Sequence, residues 1–391
     1  MADIQRRATR DGVRWDVRYR DASRAQHKRS FQRKVDAQRF ANTVETDLLR
    51  NDWIDPKRGD ELFADWASTW LETVRDRKPK TRESYESIVG KHLLPRFADT
   101  PIGAIDYPAV LSFIADLRAE QLAVKTVRNV RDVLRMIMRL AVRSGSIKTN
   151  PVSEITVGRS ARKEMVFLDP TQIAALADEV AKPPARYRRG ERRVDGYPEY
   201  GLLVTFAAYT GLRAGEIVAL RVKDLDLMRG RADINRSASE AYGQLQIVPT
   251  KTYERRSVPI PRSMVDDLAA LMVGRSPTDL LWRAPDGGPF RYSNWFKRHY
   301  KPAVPRAGLP ISTRFHDLRH SYAAMLISHG AHPRAIMERM GHSTITVTLD
   351  TYGHLFPKLD AALDDAMDEL HRDSTPCRRA PVSEIARGTA G

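Results

Sequence analysis

The stretch from Thr313 to Tyr352 reads TRFHDLRHSYAAMLISHGAHPRAIMERMGHSTITVTLDTY and holds the residues best suited to chemistry. His316 and Arg319 stand three residues apart, His342 follows a glycine, and Tyr352 comes ten residues later. An arginine keeps its charge at working pH and presents a fork of donors that matches phosphate oxygens. A histidine can accept or donate a proton near neutrality. A tyrosine hydroxyl ordinarily has a pKa near about 10, so it attacks at neutral pH only with help. Together these types make a phosphate-binding cage with a nucleophile, Tyr352, inside it. Breaking a phosphodiester without a metal needs a nucleophile and cations around the non-bridging oxygens. It also needs an acceptor for the nucleophile's proton and an acid for the leaving oxygen.

Other readings of the same residues stay open at this level. His316 and His320 are four apart on an expected helix, which is the spacing of a zinc pair. The metalloprotease pattern needs Glu at the second position, where Asp317 stands, and no third ligand is specified. Tyr352 could be a core aromatic instead.

The rest of the chain must bring a polyanion to this stretch. With 391 residues, two or three domains are expected. A net charge of +16 predicts attraction to nucleic acid or another polyanion, or simply a solvated basic surface. The one cysteine, Cys377, excludes a disulfide framework and a cysteine-based metal cluster and suits a reducing cytosol. The charged N-terminus predicts no signal peptide, and no apolar run is long enough to span a membrane.

Within residues 1 to 34, eleven Lys and Arg stand against four Asp and Glu. In Gly12–Arg20, Val13, Trp15, Val17 and Tyr19 alternate with Arg14, Asp16, Arg18 and Arg20, which predicts a half-buried strand. A second strand is expected around Lys28 to Gln32 and a helix over Val35 to Leu49. Such a module could lay a basic sheet face in a DNA groove. Asn51 to Gly59 reads as a linker.

Helical periodicity follows. Leu62 to Val74 is one helix. A second is capped by Thr81 and ended by Pro95, and a third opens at Pro108. A fourth runs from Thr126 to Ser144, with Gly145 as its C-cap. Its outer face carries Arg128, Arg131, Arg135, Arg139 and Arg143, a stripe that favours phosphate contact. Val152 to Lys163 is polar enough for an interdomain linker.

From Met165 onward a helix is expected over Pro170 to Val180, then a loop insertion over Lys182 to Tyr200 whose role the residues do not reveal. Helices over Tyr200 to Ala208 and Gly215 to Leu220 follow. Strands are expected at Ala232 to Asn235, Gln244 to Val248 and Arg255 to Ile260, with Pro249 to Tyr253 joining the last two as a hairpin. After Tyr352, Leu359, Leu363, Met367 and Leu370 line one side of a last helix, Pro357 to His371. That stripe covers the protein's own core.

Four motifs in order carry a resemblance: TGLRAGE at Thr210 to Glu216, the lysine of PTKTYERRSVPI, FHDLRHSYA, and MGHSTITVTLDTYGH. They resemble the tyrosine recombinase, or phage integrase, family, most strongly over residues 165 to 371. The resemblance implies a multidomain α+β protein. Residues 1–58 would be an arm-site DNA-binding domain of sheet and helix, and 59–152 a four-helix core-site-binding domain. Residues 165–371 would be a mainly α catalytic domain with a small antiparallel sheet, and 372–391 a polar tail. It implies that Arg213 and Arg319 clamp the scissile phosphate, with His316 as third clamp residue and proton acceptor and His342 as a further phosphate contact. Lys251 would protonate the leaving 5′ oxygen, with Lys223 and Lys297 as weaker substitutes. Tyr352 would form a 3′-phosphotyrosine, and Glu216 would support the site. Taken alone, Arg213 could as well cap a helix and Lys251 could be a turn residue.

The implied activity is site-specific recombination that integrates or excises a phage or mobile element. It would need no cofactor, use double-stranded DNA with four protomers, and take place in a bacterial cytoplasm. Host DNA-bending proteins and an excision factor are the implied accessory partners, and the resemblance implies that the last helix docks on a neighbouring protomer. The rivals are DNA relaxation of the type IB topoisomerase kind, a non-catalytic DNA-binding regulator on the same fold, and a metal-dependent nuclease.

Overall fold

The computed structural model of the chain describes residues 2–9, 12–21, 24–49, 56–158, 164–184, 195–249, 255–356 and 360–374. They form two compact units, Met1–Lys163 with Glu240–Gln246, and Glu164–Ser239 with Ile247–Gly391. Helices dominate and the sheets are small and antiparallel, an α+β architecture.

In the first unit β1 (Asp3–Thr9), β2 (Gly12–Arg20) and β3 (Gln26–Phe31) form a sheet in that order, and α1 (Lys34–Leu49) covers one face. Val17 and Tyr19 pack there on Ala37, Ala41 and Val44. The register sets Arg7 beside Arg14, Asp3 and Lys28 beside Arg18, and Gln26 beside Arg20, so Arg14, Arg18 and Arg20 share the open face. Asp16 lies on that face too, yet it is buried under Arg7 (3.0 Å), Lys28 (2.8 Å) and Ser30 (2.5 Å). The hydrogen bonds from Lys28 and Ser30, with the charge of Arg7, hold its carboxyl down at about 2.

The helical part holds α2 (Phe63–Thr73), α3 (Pro79–Ile88), α4 (Leu94–Phe97), α5 (Tyr107–Ala119) and α6 (Val124–Arg143). Phe63, Trp66, Trp70, Phe97, Phe113 and Leu134 anchor its core. Two boundaries differ from expectation. Pro79 in the first turn opens α3 with Lys78 as N-cap, so Thr81 lies inside the helix. Pro95 does not end it: a wide π turn over Val89–Leu93 relaxes the backbone, and the chain runs on helically to Phe97.

The arginine stripe of α6 has protein partners. Arg128 donates to the Gly158 carbonyl (2.8 Å), Arg131 to Ile155 (2.6 Å), and Arg135 to Val152 (3.1 Å) and Ser153 (3.0 Å). Arg139 points to solvent. The expected linker is therefore packed in its first half, because Val152 and Ile155 are buried in the helical core while the arginines satisfy the adjoining carbonyls.

In the second unit α7 (Pro170–Ala181) starts in a capping box between Asp169 and Gln172. α8 (Pro198–Thr210) starts two residues earlier than expected, at a proline in its first turn. Of the expected insertion, residues 185–194 lie outside the described residues. α9 (Ala214–Ala219) follows. β4 (Leu225–Asp226), β5 (Arg231–Ile234), β6 (Arg236–Ala241), β7 (Gln244–Pro249) and β8 (Arg256–Pro259) come next. Here the expected hairpin is corrected: β7 pairs with β6 and β8 with β5. Tyr242 and Gly243, both at positive φ (51° and 69°), make a two-residue turn that joins β6 to β7. The sequence RSASEA of β6 lacks the apolar alternation that marks a strand.

The chain continues through α10 (Val265–Met272), α11 (Tyr292–Trp295), α12 (Lys301–Arg306), α13 (Phe315–Ser328), α14 (Pro333–Met340), α15 (Ile345–Tyr352) and α16 (Asp360–Ser374). α13 is held at both ends of its first turns. Phe315 meets Trp295 and Tyr300 edge-on, at 5.4 and 5.5 Å, and the Ser321 hydroxyl accepts the Leu168 amide at 2.8 Å. No described helix is long and apolar enough to cross a membrane.

Candidate active site

Three segments of the second unit converge on one tyrosine. α13 carries His316, Arg319 and His320; the turn before α9 carries Arg213; the turn after α14 carries His342 and leads into α15, which ends on Tyr352. Asp317 fixes the start of α13: fully buried, it accepts the Arg314 amide (2.7 Å) and pairs with that guanidinium (2.6 Å). It therefore caps the helix. From that start, helical geometry sets Arg319 and His320 on the face of His316. The rings of His316 and His320 meet edge to face at 4.9 Å.

Arg319 is almost fully buried and donates to the carbonyls of Gly211 and Met340. It thus ties together the turns that precede Arg213 and His342. Both turns need left-handed backbone: Gly211 has φ +65° and Gly341 φ +62°. A Cβ at Gly211 would stand 2.3 Å from the Tyr322 ring, and one at Gly341 2.8 Å from Arg256 Nη1. Arg213, its side chain 44% exposed, donates to the Gly341 carbonyl (2.9 Å) and to Glu216 (2.9 Å). The same Glu216 accepts the Arg213 amide at 2.9 Å, so Arg213 does sit at a helix start while its guanidinium faces the site.

Glu216 is buried and shared with Arg256, at 3.0 and 2.7 Å. Burial alone would push its carboxyl up; the hydrogen bonds and charge of Arg256, with those of Arg213, outweigh it and hold it below the ordinary range. Arg256 also donates to the Arg339 carbonyl at 3.1 Å.

Tyr352 has its ring in a core cluster with Tyr322, Ala323, Ile327, Ile336 and Met340, and is 1% exposed. It is a core aromatic with a working end: its hydroxyl is hydrogen-bonded to His320 Nδ1 at 2.8 Å. Burial pushes the phenol up to about 12, with Arg319 and Arg213 pulling the other way. His342 stacks on the tyrosine ring at 6.4 Å and is hydrogen-bonded through Nδ1 to the Thr348 hydroxyl at 2.8 Å. Burial, then Arg319, Arg213 and Arg256, pulls His342 down to about 4. His316 reaches solvent at the rim and is also held down, by its surroundings and by His320 and the arginines. Burial and Arg213 lower Arg319 to about 9, which still leaves it a cation at neutral pH.

The structure therefore brings together Arg213, Glu216, His316, Arg319, His342 and Tyr352. Lys251 lies in residues 250–254, outside the described residues. Sequence reasoning missed three side chains: Arg256, Thr348, and His320 as the partner of the tyrosine. Thr348 carries a signal in its spacing, one helical turn before Tyr352. Arg256, as a strand residue in a basic segment, carries none. Among the described residues no group of three or more His, Cys, Asp or Glu could hold a metal. The site's chemistry is that of an anion receptor: two guanidiniums and three imidazoles set around a buried phenol.

Comparisons with known proteins bear on the same segments. A family model described as the phage integrase family matches residues 167–358, and one described as the phage integrase central domain matches 63–157. The ICEBs1 integrase of Bacillus subtilis (strain 168) is 28% identical over 306 residues, spanning 75% of this chain and 79% of that protein. The Tn1549 transposon integrase, solved in complex with a circular intermediate DNA, has a similar fold. Its TM-score is 0.63 at 19% identity, over 79% of this chain and 99% of that one. A lambda integrase tetramer bound to a Holliday junction gives a TM-score of 0.56 at 16% identity, covering 90% and 94%.

Proposed function

We infer the chemistry from one premise: this chain belongs to the phage integrase family and is a tyrosine-type site-specific DNA recombinase. Tyr352 attacks the scissile phosphodiester and forms a 3′-phosphotyrosine, and a 5′-hydroxyl of the partner duplex reverses the step. Arg213, Arg319, His316 and His342 hold the non-bridging oxygens, and Lys251 protonates the leaving 5′ oxygen. Glu216 and Arg256 keep Arg213 in place. The observation that carries this reading is the buried Tyr352 phenol, its hydroxyl bonded to His320, its ring beside His342 and the charges of Arg319 and Arg213 acting on it. The cations stabilise charge that develops on the phosphorane, where a closed site makes them most effective. No metal or nucleotide is required by this chemistry.

The open face of the N-terminal sheet, with Arg14, Arg18 and Arg20, is the proposed contact to arm DNA. Arg139, and the donors of Arg128, Arg131 and Arg135 not used on carbonyls, are the proposed contacts to core DNA. Segments 1–58, 59–152 and 165–371 are the corresponding working domains. By analogy with the lambda integrase tetramer on a Holliday junction, four protomers act together. A host DNA-bending protein and an excision factor, in a bacterial cytoplasm, complete the proposal.

The test is a nicked suicide duplex carrying the cognate core site, incubated in EDTA with the protein and with Tyr352→Phe. A covalent protein–DNA adduct from the wild type alone supports the reading. An adduct that survives in Tyr352→Phe removes Tyr352 as the nucleophile, and tight binding with no adduct removes the activity.

A further inference from the structure

We propose that His320 is the group that takes the Tyr352 proton as the phenol attacks, a role that sequence reasoning gave to His316. The inference rests on Tyr352 being the nucleophile.

Geometry carries it. The Tyr352 hydroxyl lies 2.8 Å from His320 Nδ1, within the range a proton acceptor needs. The rings meet at 5.8 Å and 62°, so the imidazole edge faces the hydroxyl. His316 stands beyond, edge-on to His320 at 4.9 Å and open to solvent. His342 lies parallel to the tyrosine ring but offset from it, centroids 6.4 Å apart, with its Nδ1 engaged by Thr348. The imidazole whose nitrogen meets the nucleophile is therefore His320, buried on the same helix as Arg319.

Electrostatics agree. Burial, with Arg314 and Arg319, holds His320 below its ordinary range, and Asp317 opposes them. The imidazole is thus neutral at neutral pH and can accept at Nδ1 with its own proton on Nε2. Once it has accepted, Asp317 stabilises the imidazolium. The step balances as follows. The Tyr352 oxygen bonds to phosphorus, its proton moves to His320 Nδ1, the bond from phosphorus to the 5′ oxygen breaks, and that oxygen takes a proton from Lys251. Rejoining returns the proton from His320 to the phenol. As pH falls through the lowered pKa, His320 becomes protonated, the acceptor is lost and cleavage slows.

The experiment is single-turnover adduct formation on the nicked suicide duplex at saturating protein, with DNA affinity measured in parallel. It compares wild type, His320→Ala and His320→Asn. Asn keeps an acceptor near the Nδ1 position but cannot take up a proton. The expected result is a loss of about 100-fold or more in both variants, the usual scale of a lost general base. DNA affinity should change less than about twofold, the acid limb of the pH profile should vanish, and added imidazole should restore part of the rate of His320→Ala. A 5′-bridging phosphorothiolate, whose sulfur leaves without a proton, should not rescue either variant. Wild-type rates in His320→Asn would reduce His320 to a positioning residue and overturn the proposal. Faster cleavage by His320→Ala would make the bond a brake, and rescue by the phosphorothiolate would move His320 to the leaving-group side; each also overturns it. Failure of the wild type to form a Tyr352-dependent adduct is a separate outcome and counts against the proposed function itself.

Discussion

Arg256 and Glu216 form a two-pronged ion pair, Nη1 at 3.0 Å from Oε1 and Nη2 at 2.7 Å from Oε2, with 13% and 3% of their side chains exposed. Removing Arg256 leaves the buried Glu216 carboxylate with the half-exposed Arg213 as its remaining cation, at a cost of up to about 3 kcal/mol. We predict that Arg256→Ala lowers stability by that order and slows adduct formation, because Glu216 then pulls on Arg213 alone. Chemical denaturation and adduct kinetics check it; a fully active, wild-type-stable Arg256→Ala would refute the bracing role.

Gly341→Ala is predicted to be harmful for two separable reasons. The left-handed backbone costs a non-glycine residue about 1 to 2 kcal/mol, and the new Cβ must displace Arg256. Gly330, also at positive φ (72°) but with nothing within 4 Å of a Cβ, isolates the first reason. Gly330→Ala should therefore destabilise less than Gly341→Ala and leave cleavage unchanged. Equal effects in the two variants would show that the contact with Arg256 does not matter.

Thr348→Val keeps the shape of the side chain and removes the hydroxyl from His342. The half-buried ring nitrogen then lacks its partner, a loss of about 1 kcal/mol. Adduct formation should slow about tenfold, the equivalent of roughly 1.4 kcal/mol in the barrier. Thr348→Ser should recover most of the rate. Nitrogen NMR of His342 is the direct readout: an unchanged tautomer in Thr348→Val would sink the idea.

The lowered histidines predict a direction of pH dependence. His342 has a folded value of about 4 against an ordinary 6.5. Between those values the unfolded chain binds a proton that the folded chain does not. Stability contributed by the neutral imidazole is complete above pH 6.5 and is lost as pH falls towards 4. Urea midpoints measured between pH 7.5 and 4.5 should fall for the wild type and fall less for His342→Gln. A slope unchanged by the substitution would place the effect elsewhere.

On α16, Met367 and Leu370 are 63% and 62% exposed. We predict that this face docks on a second protomer, so truncation after Phe356 should spare DNA binding and weaken assembly on DNA. Sedimentation of the truncated protein with core-site DNA decides it: assembly equal to the full chain rules the docking out.

Much of this was legible in the sequence because the decisive elements follow local rules. The period-two run of Gly12–Arg20 and the helical stripe of Val127, Val130, Leu134 and Ile137 each announce one buried face. Arg213 and His342 lie within two residues of glycines that turn the chain, Gly211 and Gly341. Other features depend on distant partners and were not legible. Asp16 reads as a solvent-facing strand residue, but Arg7 and Lys28 close over it from neighbouring strands. The polar run Arg236–Ala241 becomes a strand through pairing with β7. Arg131 and Arg135 read as free cations because nothing local shows that the carbonyls of Ile155 and Val152 return to them.

α15 carries Thr348 and Tyr352 one turn apart, and each side chain reaches a different histidine. A hydrogen bond tolerates only a few tenths of an ångström before it weakens, so shifting or fraying this helix by about one ångström disrupts both links at once. In the proposed mechanism the nucleophile and one phosphate ligand would thus be armed or disarmed together. Displacing α15 would loosen the tyrosine and His342 together, while Arg213 and Arg319 stay anchored on the Gly211, Met340 and Gly341 carbonyls. On the proposed mechanism one helix thus couples attack to phosphate binding, and its displacement would idle the site rather than misdirect it.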